Sequence, residues 1–226
     1  MKSYSDCYIA FIDILGFKEM VTNHSCNDIY DLYRRRMIKP MASFTHGEKP
    51  VLNMEDVHMK VMSDSVCFYI DCSIKNSLVG LVATCLYFQV DLLRYSIPIL
   101  SRGAITCGKL FADGDIIFGP GFVKAYLMEE KSAKYPRIIM TRETIDTSID
   151  LTDKEEQDYI LSSSYLDYDE FYTLDCCELL EGFDTHGDEC NNLLNYINNV
   201  LATSTDGAIR EKFIYLKKHL LRWYKP

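Results

Sequence analysis

The chain has 226 residues, and 24 Lys and Arg against 33 Asp and Glu give it a formal net charge of −9 at pH 7. This acidic balance argues against nonspecific binding to nucleic acid or to an anionic lipid surface. Hydrophobic residues make up 48% of the chain and charged residues 25%, which predicts one large globular domain with a sizeable core and argues against extended disorder.

No segment of the chain predicts export or membrane insertion. Residues 1–17 lack a basic segment followed by an apolar stretch and a small-residue cleavage site. The longest mostly apolar segment, residues 78–90, is shorter than the roughly 20 residues that span a bilayer, and it predicts a buried helix. Nine cysteines, an odd number without a CxxC pair, favour free thiols in a reducing compartment and argue against a zinc site. The sequence therefore predicts a cytoplasmic protein with no membrane or nucleic-acid partner.

The first half of the chain predicts a strand, a helix, a loop and a β-hairpin. In chain order, these are a strand at residues 7–13, a helix at 18–39, a loop at 46–50 and hairpin strands at 57–62 and 65–72. Gly16 separates the first strand from the helix, which Pro40 ends. The dipeptide Ser63-Asp64 forms the predicted tip of the hairpin.

The second half predicts alternating helices and strands and then a helical tail. In chain order, these are a helix at residues 75–95, strands at 102–107 and 116–118, a helix at 122–131, a strand at 137–141 and strand-like residues at 165–180. Cys176 and Cys177 are expected inside the last strand, and the acidic residues 150–158 in a solvated face or turn. From His186 the composition is helical, and one apolar face is predicted from Ile209, Phe213, Leu216, Leu220 and Trp223. This order predicts an α+β sandwich with one mostly antiparallel sheet.

Two aspartates stand where predicted strands end. Asp13 closes the first strand and leads directly into a predicted helix, whose start presents backbone amides suited to an anion. Asp64 lies at the hairpin tip between two small serines. If the two strands are neighbours, the carboxylates converge and offer the oxygen ligands that Mg²⁺ or Mn²⁺ prefers. The alternative is that each aspartate only shapes a turn or is solvated.

Four segments resemble the motifs of class III nucleotidyl cyclases, in the order of that family, over residues 8 to about 141. They are Phe11-Ile-Asp-Ile-Leu-Gly-Phe17 for F-x-D-I-x-x-F, Lys60-Val-Met-Ser-Asp64 for K-x-x-G-D, Arg102-Gly-Ala-Ile-Thr-Cys-Gly108 for R-[IV]-G-I-x-T-G, and residues 119–129 for G-x-x-V-N-x-A-x-R-x-[DE]. The resemblance implies a ferredoxin-type sandwich. It also implies a reaction in which the ribose 3′-hydroxyl of a nucleoside triphosphate attacks the α-phosphorus and releases pyrophosphate.

Within this class, the segments FIDILGFKE, SDS, SRGAITxG and GPGFVKAYLMEE are most similar to the small bacterial pyrimidine cyclases of the Pycsar anti-phage systems. That resemblance implies an enzyme that makes a cyclic pyrimidine nucleotide as a second messenger in anti-phage defence, read by a separately encoded effector. It also implies a catalytic domain at residues 1–182 and a C-terminal helical extension at residues 183–226, packed on the same domain.

The resemblance also implies roles for individual residues. Asp13 and Asp64 would hold two Mn²⁺ or Mg²⁺ ions per site, with the Ile14 carbonyl as a further ligand. Lys60 matches the base-reading lysine of the family, and because an ammonium only donates hydrogen bonds it would prefer the O4 carbonyl of uracil to the amino group of cytosine. UTP is therefore favoured over CTP, the alternative being that Lys60 is a strand-edge lysine facing water. The remaining expected substrate contacts, all to phosphate, are Leu15, Gly16, Phe17 and Lys18.

Two positions depart from the family pattern. The transition-state Asn and Arg of the family fall on Val123 and Leu127, so positive charge for the transition state must come from elsewhere. Arg102 and Lys124 are the catalytic candidates, with Lys131 as a third, although each could be a solvated surface base. Because class III cyclases assemble each site from two chains, the resemblance implies a homodimer with shared sites. The rival hypothesis is a catalytically silent relative that only binds a nucleotide or a partner.

Overall fold

The computed structural model describes residues 2–32, 44–46, 49–52, 56–95, 97–148, 154–184 and 186–225. The strands are β1 (Ser5–Ile14), β2 (Phe44–His46), β3 (Lys49–Leu52), β4 (His58–Met62), β5 (Ser65–Asp71), β6 (Ser101–Asp113), β7 (Ile116–Phe118), β8 (Ile138–Met140), β9 (Ser164–Leu166) and β10 (Tyr172–Leu174). The helices are α1 (Phe17–Asn23), α2 (Cys26–Leu32), α3 (Ser77–Leu93), α4 (Pro120–Ser132), α5 (Arg142–Asp146), α6 (Lys154–Ser162), α7 (Cys176–Phe183), α8 (Asp188–Thr203) and α9 (Gly207–Trp223). Of the helices in these ranges, none combines the length and the hydropathy that crossing a membrane requires.

One large sheet organises the protein. Its strands follow the order β4-β5-β1-β6-β8-β10-β9, and β7 pairs with β6 outside this path. Strands β6 and β8 run parallel, whereas the other pairs in the sheet are antiparallel. The prediction of an α+β fold with a mostly antiparallel sheet is therefore confirmed.

The two faces of this sheet carry different layers. Because side chains of a strand alternate between faces, Tyr8 and Ile12 of β1 point into a large core built with α3 and α7 to α9. Ile9 and Phe11 point the other way, where Ala125 of α4 packs on them. Burial of each large apolar side chain stabilises the fold by about 1.5–3 kcal/mol. The sheet is thus covered by several helices on one face and by α4 on the other.

Helices α8 and α9 share the large core with the sheet. The buried side chains that they contribute to it include Leu193, Ile197, Phe213, Leu216 and Leu220. The helical prediction from His186 onward is confirmed, and so is the apolar face of α9, although Ile209 and Trp223 at its two ends are exposed.

A buried arginine holds α9 against the far edge of the sheet. Arg137 precedes β8 and is 2% exposed. Its guanidinium donates to Asp167 Oδ2 at 2.7 Å and to both carboxylate oxygens of Asp169, in the turn between β9 and β10. Tyr215 of α9 donates to the same Asp167 oxygen at 2.8 Å. Because a buried charge is costly unless it is paired, this network fixes the turn and α9 relative to β8.

Several predicted boundaries differ from the structure. Residues 46–50 were expected in a loop but include parts of the separate hairpin formed by β2 and β3. The helix expected at residues 18–39 consists of α1 and α2, while residues 33–39 lie outside the described ranges. The acidic residues 154–158 begin α6, and residues 150–153 again lie outside the described ranges.

The prediction that Cys176 and Cys177 lie inside a strand is wrong. They are buried at the start of α7, and the strand-like segment before them forms the short strands β9 and β10. The Asp175 side chain accepts a hydrogen bond from the Glu178 amide at 3.2 Å, which caps the helix and ends the strand.

We expect Leu220→Ala to lower the free energy of unfolding by about 2–5 kcal/mol, because a buried leucine in the large core is replaced by a cavity. Leu221 is the matched control, since it is the next residue of α9 and is 40% exposed. Leu221→Ala should have less than half of that effect. Urea unfolding followed by circular dichroism should show one cooperative transition for both variants. Equal losses, or a separate transition for the C-terminal helices, would contradict the packing of α9 on the sheet.

Candidate active site

Asp13 and Asp64 lie side by side at one end of the sheet. Asp13 pairs with Ser65 across β1 and β5, and Asp64 directly precedes Ser65 in the turn after β4. The Ile14 amide donates to the carbonyl oxygen of Asp64 at 2.8 Å, which holds the turn against β1. The predicted hairpin and its tip are confirmed, and the two strands that carry the aspartates are neighbours.

Arg102 approaches Asp13 from the other neighbouring strand. The two residues pair across β1 and β6, and Arg102 Nε donates to Asp13 Oδ2 at 3.3 Å. Burial raises the pKa of Asp13 above its ordinary value, Arg102 lowers it by its charge and hydrogen bond, and the nearby Asp64 carboxylate raises it again. The net shift is upward, so the site is short of positive charge. A cation between the two aspartates would relieve both the burial and the repulsion.

Glu129 of α4 completes this cluster, a role that was not predicted from the sequence. It is 3% exposed, and its Oε1 lies 2.7 Å from Arg102 Nε. The Arg102 Nε–H is directed at Asp13, and Glu129 Oε1 accepts no hydrogen bond from any described residue. Burial raises the pKa of Glu129 to about 7, although Arg102 lowers it. One sequence signal was available: Gly121, Ala125 and Glu129 share the buried stripe of α4 at a spacing of four, and Glu129 is its charged member.

The turn after β1 agrees with the predicted phosphate contacts only in part. The Leu15 amide donates to the Leu100 carbonyl at 2.9 Å, so it serves the fold, and the prediction that it faces phosphate is corrected. Gly16 has a left-handed conformation with φ of 78°, which glycine adopts without steric cost, and α1 begins at Phe17. Lys18 is exposed in the first turn of α1. The amides of Gly16 and Phe17 and the charge of Lys18 stay predictions.

Lys60 and Lys124 lie apart from the Asp13 cluster. Lys60 pairs with Cys67 and Cys67 with Phe11, so Lys60 is on the same face of the sheet as Asp13. Its ammonium donates to the Gly114 carbonyl in the turn between β6 and β7. Lys124 is exposed on α4, and its Nζ lies 3.5 Å from Glu143 Oε2 on α5. Within one chain, the structure therefore brings Asp13, Asp64 and Arg102 together but not Lys124.

The carboxylate and carbonyl oxygens near Asp13 suit a metal ion that takes its remaining ligands from water or from a substrate. Within the described ranges, no group of three or more His, Cys, Asp or Glu side chains could hold a metal ion. Asp13 and Asp64 supply two carboxylates, and the Ile14 carbonyl is adjacent in the chain. Mg²⁺ is commonly bound through one or two carboxylates together with water and substrate phosphates, so this donor set fits a metal that arrives with a phosphate ligand.

No family model matches the chain, and no curated protein matches it in sequence. Among solved structures, it resembles the monomeric guanylyl cyclase domain of the RhoGC fusion protein from the aquatic fungus Blastocladiella emersonii, with a TM-score of 0.54 and 12% identity. The match covers 77% of this chain and 98% of that domain. The protein has the fold of a guanylyl cyclase domain. The predicted cyclase-like fold is thus confirmed, and the resemblance to pyrimidine cyclases stays a prediction.

Two further solved structures match a smaller part of the chain. The catalytic core of a rhodopsin-guanylyl cyclase with converted specificity, in complex with ATPαS, has a TM-score of 0.49 and 15% identity, covering 65% of this chain and 82% of the other. An adenylate/guanylate cyclase/hydrolase from Silicibacter pomeroyi has a TM-score of 0.47 and 19% identity, covering 66% of this chain and 83% of the other.

We expect Glu129→Gln to stabilise the protein at high pH. The pKa of Glu129 is raised from 4.5 to about 7, so between these values the folded state holds a proton that the unfolded chain has lost. Stability therefore falls as the pH rises through this window, and the loss is complete above about pH 7. Glutamine resembles the protonated side chain, so the variant should be more stable than wild type by about 2–3 kcal/mol near pH 8 and similar near pH 4.

Urea unfolding across this pH range measures the difference. Glu130→Gln is the matched control, because Glu130 is the next residue of α4 and is exposed. Its charge raises the pKa of Glu129 less than burial does, so this variant should change the pH profile much less than Glu129→Gln. A Glu129→Gln variant that is less stable than wild type near pH 8 would show that the ion pair with Arg102 outweighs the burial of Glu129.

Proposed function

We propose that this chain is a nucleotide cyclase, which converts a nucleoside triphosphate to a 3′,5′-cyclic nucleotide and pyrophosphate. The observation that carries the proposal is the placement of Asp13 and Asp64 side by side, with Arg102 bound to Asp13, in a guanylyl-cyclase-like fold. In the reaction, the ribose 3′-oxygen forms a bond to the α-phosphorus and the bond from that phosphorus to the pyrophosphate oxygen breaks. The proton of the 3′-hydroxyl leaves to solvent.

The proposed roles follow from the contacts of each residue. Asp13, Asp64 and the Ile14 carbonyl would hold two Mn²⁺ or Mg²⁺ ions, which lower the pKa of the attacking hydroxyl and neutralise phosphate charge when bound. Arg102 lowers the pKa of Asp13 by its charge and its hydrogen bond, and it would stand beside the position where phosphate charge develops. Glu129 lies against the same Arg102 nitrogen and so positions the guanidinium.

We expect Asp64→Asn to abolish turnover and to leave the fold intact, because it removes one metal-binding charge in a turn outside the core. Asp13→Asn should behave in the same way. Asp6→Asn is the matched control, since Asp6 is exposed at the opposite end of β1. The assay is incubation with each of the four nucleoside triphosphates and Mn²⁺, followed by chromatography of the products. Wild-type activity of either active-site variant would end the two-metal proposal.

UTP is the proposed substrate and CTP the second choice, with ATP and GTP used least. The support for this choice is the sequence resemblance and the position of Lys60 on the face of the sheet that carries Asp13. An ammonium has three donors, so the contact with the Gly114 carbonyl leaves Lys60 able to donate to uracil O4 as well.

Lys60→Ala should therefore reduce the ratio of UTP to CTP turnover by several fold and leave activity on CTP close to that of wild type. Competition assays with equal amounts of both substrates measure this ratio. Lys109→Ala is the control, because Lys109 is exposed on β6. An unchanged ratio in Lys60→Ala would mean that Lys60 does not read the base, whichever triphosphate is used.

A homodimer with shared sites is proposed from the exposed side of α4. Val123, Tyr126 and Leu127 recur at helical spacing and are 51%, 42% and 37% exposed, which is unusual for apolar side chains next to a candidate site. A two-fold axis through this surface would bring α4 of one chain toward the aspartates of the other. Lys124 would then act across the interface, whereas Arg102 acts on Asp13 of its own chain.

Because Lys124 would serve the site of the partner and Arg102 the site of its own chain, mixing inactive variants can distinguish the two roles. Asp64→Asn chains combined with Lys124→Ala chains should form mixed dimers with one site that carries both lesions and one intact site, and so regain about half the activity of a wild-type dimer. Asp64→Asn combined with Arg102→Ala should not recover, because Arg102 serves the carboxylates of its own chain. Recovery with Arg102→Ala would show that Arg102 also acts across the interface. Failure of the Lys124→Ala mixture to recover once subunit exchange is verified, or an active monomer, would refute the shared-site arrangement.

A catalytically silent, nucleotide-binding relative is the second candidate, and the apolar Val123 and Leu127 favour it. It predicts nucleotide and Mn²⁺ binding without product in the four-substrate assay. The cyclase proposal extends to a cytoplasmic enzyme whose cyclic pyrimidine nucleotide serves as a second messenger in anti-phage defence, read by a separately encoded effector. That extension is supported by the motif resemblance to the Pycsar cyclases.

A further inference from the structure

A cavity of about 620 Å³ lies behind the turn that follows β1. Its walls are Leu15 and Gly16, the helices α1 and α2, residues 97–100, and the inner sides of α8 and α9. The lining is mostly aliphatic and aromatic, with the rings of Tyr95, Tyr196 and Phe213 and the imidazole of His24. Cavities of 300–1,000 Å³ with this kind of lining typically enclose organic ligands, so the size and the surface both suit a small molecule.

The charged side chains that line the cavity differ in their exposure and in the hydrogen bonds that they form. Asp28 accepts hydrogen bonds from the Ser25 amide at 3.1 Å and from the Ser25 hydroxyl at 2.7 Å, so one of its oxygens is bound to the residue that precedes α2 while the carboxylate keeps its charge. Glu19 is exposed on α1. Lys212 of α9 is half-buried, and its charge lowers the pKa of Asp13, although Lys212 forms no hydrogen bond or ion pair with any residue in the described part of the chain. By contrast, Lys217 on the same helix donates to Asn198 at 2.7 Å.

The lining argues against a triphosphate as the occupant. A triphosphate is highly charged, and the cavity offers one lysine, two carboxylates and a surface that is mainly carbon. An apolar body with a single acidic group matches these features better, because the body fills the carbon-lined volume and the acidic group can accept a charge-assisted hydrogen bond from Lys212.

We propose that this cavity is a binding site for an amphipathic organic monoanion, whose apolar body lies between α1, α2, α8 and α9 and whose acidic group binds Lys212. The site adjoins the proposed nucleotide site, since Gly16 lines the cavity and the charge of Lys212 acts on Asp13, but its occupancy requires no nucleotide and no metal. Leu15 and Gly16 form a wall of the cavity, so an occupant contacts the turn that follows Asp13.

Decanoate and decyltrimethylammonium test the proposal, because they carry similar chains with opposite charges. Isothermal titration of the full chain should show decanoate binding with a stoichiometry of one, and decyltrimethylammonium binding at least roughly ten-fold more weakly. Lys212→Met retains most of the side-chain length without the charge and should weaken decanoate binding by about ten-fold. Ile209→Trp places an indole at the exposed rim of the cavity and should abolish binding.

Lys218→Met is the matched control, because Lys218 lies on the exposed side of α9 and outside the cavity lining, and its decanoate affinity should equal that of wild type. Thermal unfolding of each variant, measured first, verifies that the chains used are folded, and Lys212→Gln replaces Lys212→Met if the latter is not. Absence of saturable decanoate binding, equal affinity for both probes, or equal affinity of Lys212→Met and Lys218→Met would overturn the proposal.

Discussion

The close contact between α4 and β6 determines the geometry of the candidate active site. Gly108 and Gly121 meet backbone to backbone, and a Cβ on Gly108 would lie 2.8 Å from Gly121 Cα. With α4 held this close, Glu129, about two turns further along the helix, reaches Arg102, which in turn reaches Asp13. A side chain at either glycine would push the helix away from the sheet and separate these three charges.

The resulting cluster contains more negative than positive charge. Asp13, Asp64 and Glu129 are carboxyl groups, and among the described residues Arg102 is the base that forms ion pairs within the cluster, while the charge of Lys212 acts on Asp13 from α9. Burial and the shortage of positive charge raise the pKa of Glu129 to about 7, so Glu129 can hold a proton, and burial also raises the pKa of Asp13 although Arg102 lowers it. Divalent cations would compensate the excess negative charge of these carboxyl groups. The cluster is unfavourable without them, and for that reason it suits a substrate that brings metal ions with its phosphates.

Local sequence patterns predicted the elements that carry the site, but its contacts depend on long-range geometry. The strand before Asp13, the hairpin with Asp64 at its tip, and α4 all have strong patterns bounded by turn residues. The contacts of Arg102 with Asp13 and Glu129 depend on the register of β1 with β6 and on the tilt of α4, which no spacing within one segment encodes. The start of α7 was not predicted because the strand-like pattern continues through Cys176 and Cys177. The helix begins there because the Asp175 side chain caps it, and a single capping residue is a weak signal in the sequence.

The buried Arg137 imposes an order on how the chain can complete its fold. Its carboxylate partners come from the turn between β9 and β10, and Tyr215, which binds one of them, comes from α9. During synthesis α9 is made after every strand of the sheet, so a nascent chain that has finished its strands still has a partly solvated arginine at the sheet edge. The docking of α9 would therefore follow the pairing of the strands, and a chaperone that binds the chain before α9 docks would meet it with this edge still open.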